Sequence, residues 1–111
     1  MKKDVYKRQV YDFEEGFAQV ELDGMCGFID KTGKEIVPPK YDDVYDFEEG
    51  FAQVELNGRH GFIDKTGKEI VEPKYDYVYN FEEGFAKVEL NGKHGFIDKT
   101  GKEVIPPVLK N

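Results

Sequence analysis

The chain has no tryptophan, one cysteine and two methionines among its 111 residues. A lone cysteine, Cys26, cannot build an internal disulfide framework, so the redox compartment is left open. No stretch approaches the ~18 consecutive apolar residues of a membrane-spanning helix, and no membrane insertion is expected. Met1-Lys2-Lys3 is basic, but no apolar run follows it and no signal peptide is read in this fragment. Positive charge is also scarce, with 16 Lys and Arg against 23 Asp and Glu and a formal net charge of -7. Phosphate backbones are bound by clusters of Lys and Arg and repelled by an acidic field, so nucleic acid is not an expected partner. An anionic membrane surface is disfavoured for the same reason. What the chain does have is rings, with nine Phe and seven Tyr. A chain of this size buries only roughly 60–65% of its unfolded surface, so these rings must supply much of the core.

Those rings recur. Tyr11-Asp12-Phe13-Glu14-Glu15-Gly16-Phe17-Ala18 returns at 45–52, and again from Tyr79 to Ala86 with Asn80 for Asp, at an offset of 34 both times. The copies at 11–44 and 45–78 differ at five places: Asp23/Asn57, Met25/Arg59, Cys26/His60, Pro38/Glu72 and Asp43/Tyr77. The third copy follows the pattern to Pro107 and then departs at Val108-Leu109-Lys110-Asn111, as an atypical terminal repeat would. The expected organisation is one repeat domain, with repeat one at 10–44, repeat two at 45–78 and repeat three at 79–111. Residues 1–9 are set aside as an artefactual or disordered tail. Asp4-Val5-Tyr6-Lys7-Arg8-Gln9 back-translates to a transposase end sequence used in sequencing libraries, as at the edge of a metagenomic contig. The copies then read as the C-terminal fragment of a longer array.

A period of 34 also fits helical repeats, but glycines at 50, 58, 61 and 67 with Pro73 leave no 3.6-residue apolar stripe. Phe51-Ala52-Gln53-Val54-Glu55-Leu56 instead runs into Asn57-Gly58, a strong hairpin signal, and His60-Gly61-Phe62-Ile63-Asp64 returns. Lys65-Thr66-Gly67 is a second turn, and Lys68-Glu69-Ile70-Val71 a third strand stopped by Pro73. Each copy is thus expected to be a three-stranded meander, with the segment 75–84 a connector with room for one helical turn. A two-residue type I′ turn at Asn57-Gly58 pairs Leu56 with Arg59, Glu55 with His60, Val54 with Gly61, Gln53 with Phe62 and Ala52 with Ile63. One face then carries Ala52, Val54, Leu56 and Ile63, and is the expected core. The other carries Phe51, Gln53, Glu55, His60 and Phe62, as a second packing layer or a groove.

The run Phe-x-Glu-Gly-x-Ala-x-Val, then Gly-x-x-Gly-Phe-Ile-Asp, then Gly-Lys and a Pro before Tyr-Asp, closely resembles the bacterial WG-containing β-repeat. The resemblance covers residues 11–111. One feature departs: the tryptophan that names the family precedes the glycine of Gly-Phe-Ile-Asp, and here that slot holds Cys26, His60 and His94. The resemblance implies a β-rich repeat array with no catalytic residues to carry over.

Asp-Lys-Thr-Gly, at 30–33, 64–67 and 98–101, matches the phosphorylated-aspartate motif of ion pumps only superficially and is expected to be a turn. Cys26, His60 and His94 could form a zinc-binding column, but no fourth ligand repeats. The plainer reading sets each across from Glu21, Glu55 or Glu89 on its hairpin. The acidic connector around Asp42, Asp43, Asp46, Glu48 and Glu49 could attract calcium. Its alternation with rings reads more simply as buried aromatics between solvated charges. Glu48 and Glu49 are adjacent and point apart, which disfavours an acid–base pair. No cofactor is expected. Tyr41, Tyr45, Tyr75, Tyr77 and Tyr79, with Glu55, His60 and His94, are the candidate binding residues, since flat rings stack on ligands while acids accept hydrogen bonds. The alternative places the tyrosines in the seams between repeats.

The expected fold is all-β, three meanders stacked into an open curved or solenoid-like array, with a partial propeller or closed barrel-like array as the competing architecture. The expected function is a non-catalytic scaffold for a protein partner, with polysaccharide or cell-envelope binding as the alternative. Localisation is left open between cytoplasmic and, in a longer parent, secreted or envelope-bound.

Overall fold

The computed structural model describes residues 9–110. Of the tail set aside above, residues 1–8 lie outside the described residues, and Gln9 opens the first strand. The described residues form strands β1 (Gln9–Glu14), β2 (Phe17–Leu22), β3 (Met25–Asp30), β4 (Glu35–Tyr41), β5 (Asp43–Val44), β6 (Phe51–Leu56), β7 (Arg59–Asp64), β8 (Glu69–Tyr75), β9 (Tyr77–Val78), β10 (Phe85–Leu90), β11 (Lys93–Asp98) and β12 (Glu103–Lys110), with no helix among them. They make three antiparallel sheets, β1-β2-β3-β4, β5-β6-β7-β8 and β9-β10-β11-β12, each open at both edges. The array is all-β and open, not a closed barrel.

The central hairpin has the register its turn dictates. Ala52 pairs with Ile63, Gln53 with Phe62, Val54 with Gly61, Glu55 with His60 and Leu56 with Arg59. Asn57 and Gly58 both have left-handed backbone, φ 55° and 78°, as a type I′ turn requires.

Two expectations need correction, and one further turn comes to light. The connector carries no helical turn; it supplies a two-residue strand, β5 or β9, that pairs with the following hairpin and makes each sheet four-stranded. Glu49-Gly50 is itself a two-residue turn, with φ 55° and 89°, closed by a bridge between Glu48 and Phe51. Pro73 does not stop the third strand, because β8 runs through it on a sheet edge, where a missing N–H costs no ladder bond.

Gly61 explains how β8 bends. The ladder between β7 and β8 shifts register between His60 and Phe62, and a Cβ on Gly61 would sit 2.3 Å from the Val71 carbonyl oxygen. The space left by the glycine is filled by its own repeat's backbone.

The core lies between sheets. Phe28, Val37 and Tyr41 of repeat one cluster with Val44, Phe47, Ala52, Val54 and Ile63. Phe62, Val71 and Tyr75 of repeat two cluster in the same way with Val78, Phe81, Ala86, Val88 and Ile97. Each hairpin therefore turns its aliphatic face back to the preceding repeat and its phenylalanines forward to the next. The ring part of the mixed face is a second packing layer, while Glu55 and His60 stay half-buried at its margin. Phe47 seals the first seam with ring centroids 4.4 Å from Phe17 and 4.8 Å from Phe28. Burying one such ring contributes about 1.5–3 kcal/mol.

Candidate binding faces

The Asp-Lys-Thr-Gly segments are turns held by their own aspartates. Asp64 accepts hydrogen bonds from the Thr66 amide at 2.9 Å, the Thr66 hydroxyl at 2.6 Å and the Lys68 amide at 3.1 Å. Asp30 and Asp98 do the same for Thr32 and Thr100. The threonine hydroxyls hold Asp30 and Asp98 below the ordinary carboxylate value. For Asp64, partial burial pulls upward, and the hydrogen bonds from Thr66 and Lys68 outweigh it. One oxygen of each carboxylate, Oδ1, takes all three of these bonds and closes the turn.

The carboxylates of the acidic connector also disperse. Asp42 accepts from the Asn57 amide at 2.8 Å, Asp43 from the Val44 amide at 3.0 Å, and Asp46 from Gln19 of the preceding repeat at 2.9 Å. Glu48 accepts from Asn80 at 3.1 Å, and Asn80 in turn accepts from Gln53 at 2.7 Å. The bonds through Gln19, Gln53 and Asn80 stitch one repeat to the next. Among the described residues no group of three His, Cys, Asp or Glu side chains converges as a metal site would.

The candidate tyrosines divide into two sets. Tyr41 and Tyr75 are fully buried, in the seams where the alternative reading placed them, and are not binding residues at the surface. Their hydroxyls donate across the seams to Glu69 and Glu103 of the following repeat. Burial, then the hydrogen bond and charge of that glutamate, push both phenols well above their ordinary value. They lock repeats together and present no face to a ligand. Tyr45, Tyr77 and Tyr79 are exposed. Tyr77 meets Tyr79 edge-on at 5.1 Å and His60 at 5.4 Å. The Lys87 ammonium lies 5.1 Å from the Tyr79 ring centroid, and the Tyr79 hydroxyl donates to Glu89 at 2.9 Å. Tyr11 makes the matching bond to Glu21 at 2.9 Å. Partial burial and the charges of Asp43 and Glu55 raise Tyr45.

His60 sits across from Glu55, and His94 across from Glu89, as the register requires. The buried Nδ1 of His60 has no hydrogen-bond partner among the described residues, whereas the Cys26 thiol in the same slot reaches the Asp42 carbonyl at 3.8 Å. His94 stacks edge-on against Phe96 at 6.1 Å.

A second feature was not singled out in the sequence. The forward face of repeat three forms an open groove of about 920 Å³, floored by Phe85, Phe96, Val104 and Ile105 and rimmed by Tyr79 and Lys87. The available signal was positional: these are the third-copy equivalents of seam residues.

Stacked open sheets, seams built from equivalent residues and surface rings recurring at one period define a β-repeat array. The family model described as the WG containing repeat matches residues 6–26, 27–59, 61–93 and 95–111, and the chain belongs to that family. Each full match begins at or near the second strand of one hairpin and ends at or just past the first strand of the next, so the family unit spans a seam. No curated protein and no solved structure matches the chain.

Proposed function

We propose that this chain is a non-catalytic β-repeat scaffold that mediates protein–protein interaction. The observation that carries the reading is a periodic ridge: Tyr11, Tyr45 and Tyr79 stand one per repeat, exposed by 46%, 41% and 39%, with Glu21, Glu55 and Glu89 on the neighbouring strands. A ring that can stack and a carboxylate that can accept, repeated at fixed spacing, suit an extended partner better than a single small substrate. Glu48 is engaged by Asn80 and Glu49 sits within a tight turn, which supports a non-catalytic role.

The test is stepwise removal of the ridge. A partner captured on the immobilised chain is titrated against Tyr→Ala variants at one, two and three of these positions. Affinity is expected to fall at each step, by up to ~2 kcal/mol where a ring is an anchor. Undiminished binding by the triple variant would remove the ridge as the contact surface. A second reading, polysaccharide or cell-envelope binding, is favoured by the exposed Tyr77–Tyr79 pair. Affinity electrophoresis in soluble cell-wall polysaccharide, with retardation abolished by Tyr77→Ala and Tyr79→Ala, would select it over the first.

A further inference from the structure

The two ends of the array expose complementary halves of the same seam. At the head, Phe13 occupies the position of Phe47 and Phe81, the rings that seal the two internal seams. Phe47 sits 4.4 Å from Phe17 and 4.8 Å from Phe28, and Phe81 sits 4.5 Å from Phe51 and 4.8 Å from Phe62. Phe13 is 45% exposed. At the tail, Phe85 and Phe96 occupy the positions of the receiving rings, and Phe85 is 48% exposed over the open groove. The tail has a socket and the head has the ring that fits it.

A second contact repeats the match. In both internal seams a glycine of the Asp-Lys-Thr-Gly turn lies against the third strand of the preceding repeat. A Cβ on Gly67 would fall 2.5 Å from the Ile36 carbonyl oxygen, and one on Gly101 would fall 2.1 Å from that of Ile70. A Cβ on Gly33, the equivalent at the head, would meet nothing within 4 Å among the described residues. Val104, the equivalent of Ile36 and Ile70, is exposed at the tail. Val10 adds a third contact: its equivalents Val44 and Val78 are buried in seams, and it is exposed.

We propose that this chain associates head to tail with a second copy of itself, seating Phe13, Val10 and the Gly33 turn of one copy in the groove of Phe85, Phe96, Val104 and Ile105 of the other. The interface is the internal seam made between molecules, and it borders the tyrosine ridge at Tyr79 on the rim of the groove. It is weaker than an internal seam for two reasons. Leu109 stands where Tyr41 and Tyr75 supply their hydroxyl locks, and Ala18, Val20 and Ile29 at the head are already buried in the free chain. Association is therefore expected in the micromolar to millimolar range of small interfaces. Because the contact joins unlike surfaces, it leaves a free head and a free tail on a dimer and continues past it, as a filament or a larger ring. The net charge of -7 opposes it, so added salt strengthens it.

Sedimentation velocity over a concentration series tests this on the chain as it stands. Mass is expected to rise past the dimer with concentration, and further in high salt. Phe13→Glu blocks the head and Ile105→Glu blocks the tail, both at exposed positions, and circular dichroism checks that each variant is folded. Each alone is expected to stay monomeric. Their equimolar mixture keeps one intact head and one intact tail, and is expected to give a dimer that grows no further. Gly33→Ala, a single added methyl at the head, is expected to weaken association of the otherwise wild-type chain at least several-fold. A wild-type chain that stays monomeric throughout in high salt overturns the proposal. So does a Phe13→Glu variant that dimerises alone, which would indicate tail-to-tail packing, and so does a mixture that remains monomeric.

Discussion

Val37 in the first seam and Ile105 on the forward face of repeat three hold the same place in the same strand, yet one is 1% exposed and the other 38%. The same contrast separates half-buried Phe17 from exposed Phe85, and buried Tyr41 from exposed Leu109. The local hairpins are alike: registers, turns and bulges repeat from sheet to sheet. What differs is whether a neighbour is present. In a stacked array each unit is completed by the next, so burial belongs to the pair of repeats and not to the repeat.

Several substitutions can break or sharpen that contrast. The largest effect is expected at Phe47→Ala, which empties a seam and costs about 3–5 kcal/mol, while Phe13→Ala at the exposed head shifts stability by at most ~0.5 kcal/mol. Urea unfolding of the two variants checks this, and comparable losses would mean that the seams do not carry the stability.

Next comes Gly67→Ala. It combines left-handed strain at φ 89° with a methyl driven against the Ile36 carbonyl, for roughly 2–4 kcal/mol. Gly33→Ala carries only the strain, about 1 kcal/mol. The same denaturation series, at a concentration where the chain is monomeric, should separate them.

Tyr41→Phe or Tyr75→Phe removes a lock to a carboxylate and is expected to cost about 1.5–3 kcal/mol, whereas Leu109→Phe changes little. These phenols are raised above their unfolded value of 10.0, so their contribution is present below that pH and lost as pH climbs toward the folded value. Each Phe variant should therefore flatten the alkaline fall in the unfolding midpoint; an unchanged slope would remove the hydroxyl from the seam.

The smallest effect is at the acid end. Asp30, Asp64 and Asp98 are lowered from the ordinary 3.8, so their contribution is present above that pH and lost as pH falls through the lowered values. A shallow loss of stability below that point, reduced by Asp64→Asn, is the expected outcome. Because all three turns use the same bonds, NMR titration should show the outer repeat behaving like the inner ones.

Much of the fold was legible because hairpin chemistry is local. Asn57-Gly58 fixed the pairing from Ala52/Ile63 to Leu56/Arg59, and with it which side chains share a face. The Glu49-Gly50 turn was not visible in sequence because a glutamate seldom takes left-handed backbone, and only its closure by Glu48 and Phe51 reveals it. Pro73 was misread because its cost depends on whether the strand lies at an edge, which is a property of the sheet. The candidate site was less legible. Tyr41 and Tyr45 look equivalent in sequence, four residues apart in one acidic connector, yet one is a buried lock and the other an exposed ring.

The sequence by itself determined the period, the hairpins, their register and the family, since each rests on contacts within a few residues or on direct repetition. Tertiary structure alone decided that the connector adds a fourth strand, which tyrosines lock the seams, and that repeat three ends in an open apolar groove. Those outcomes depend on what packs against each face. With nearly identical repeats the faces are the same, and only their position in the stack determines which are covered.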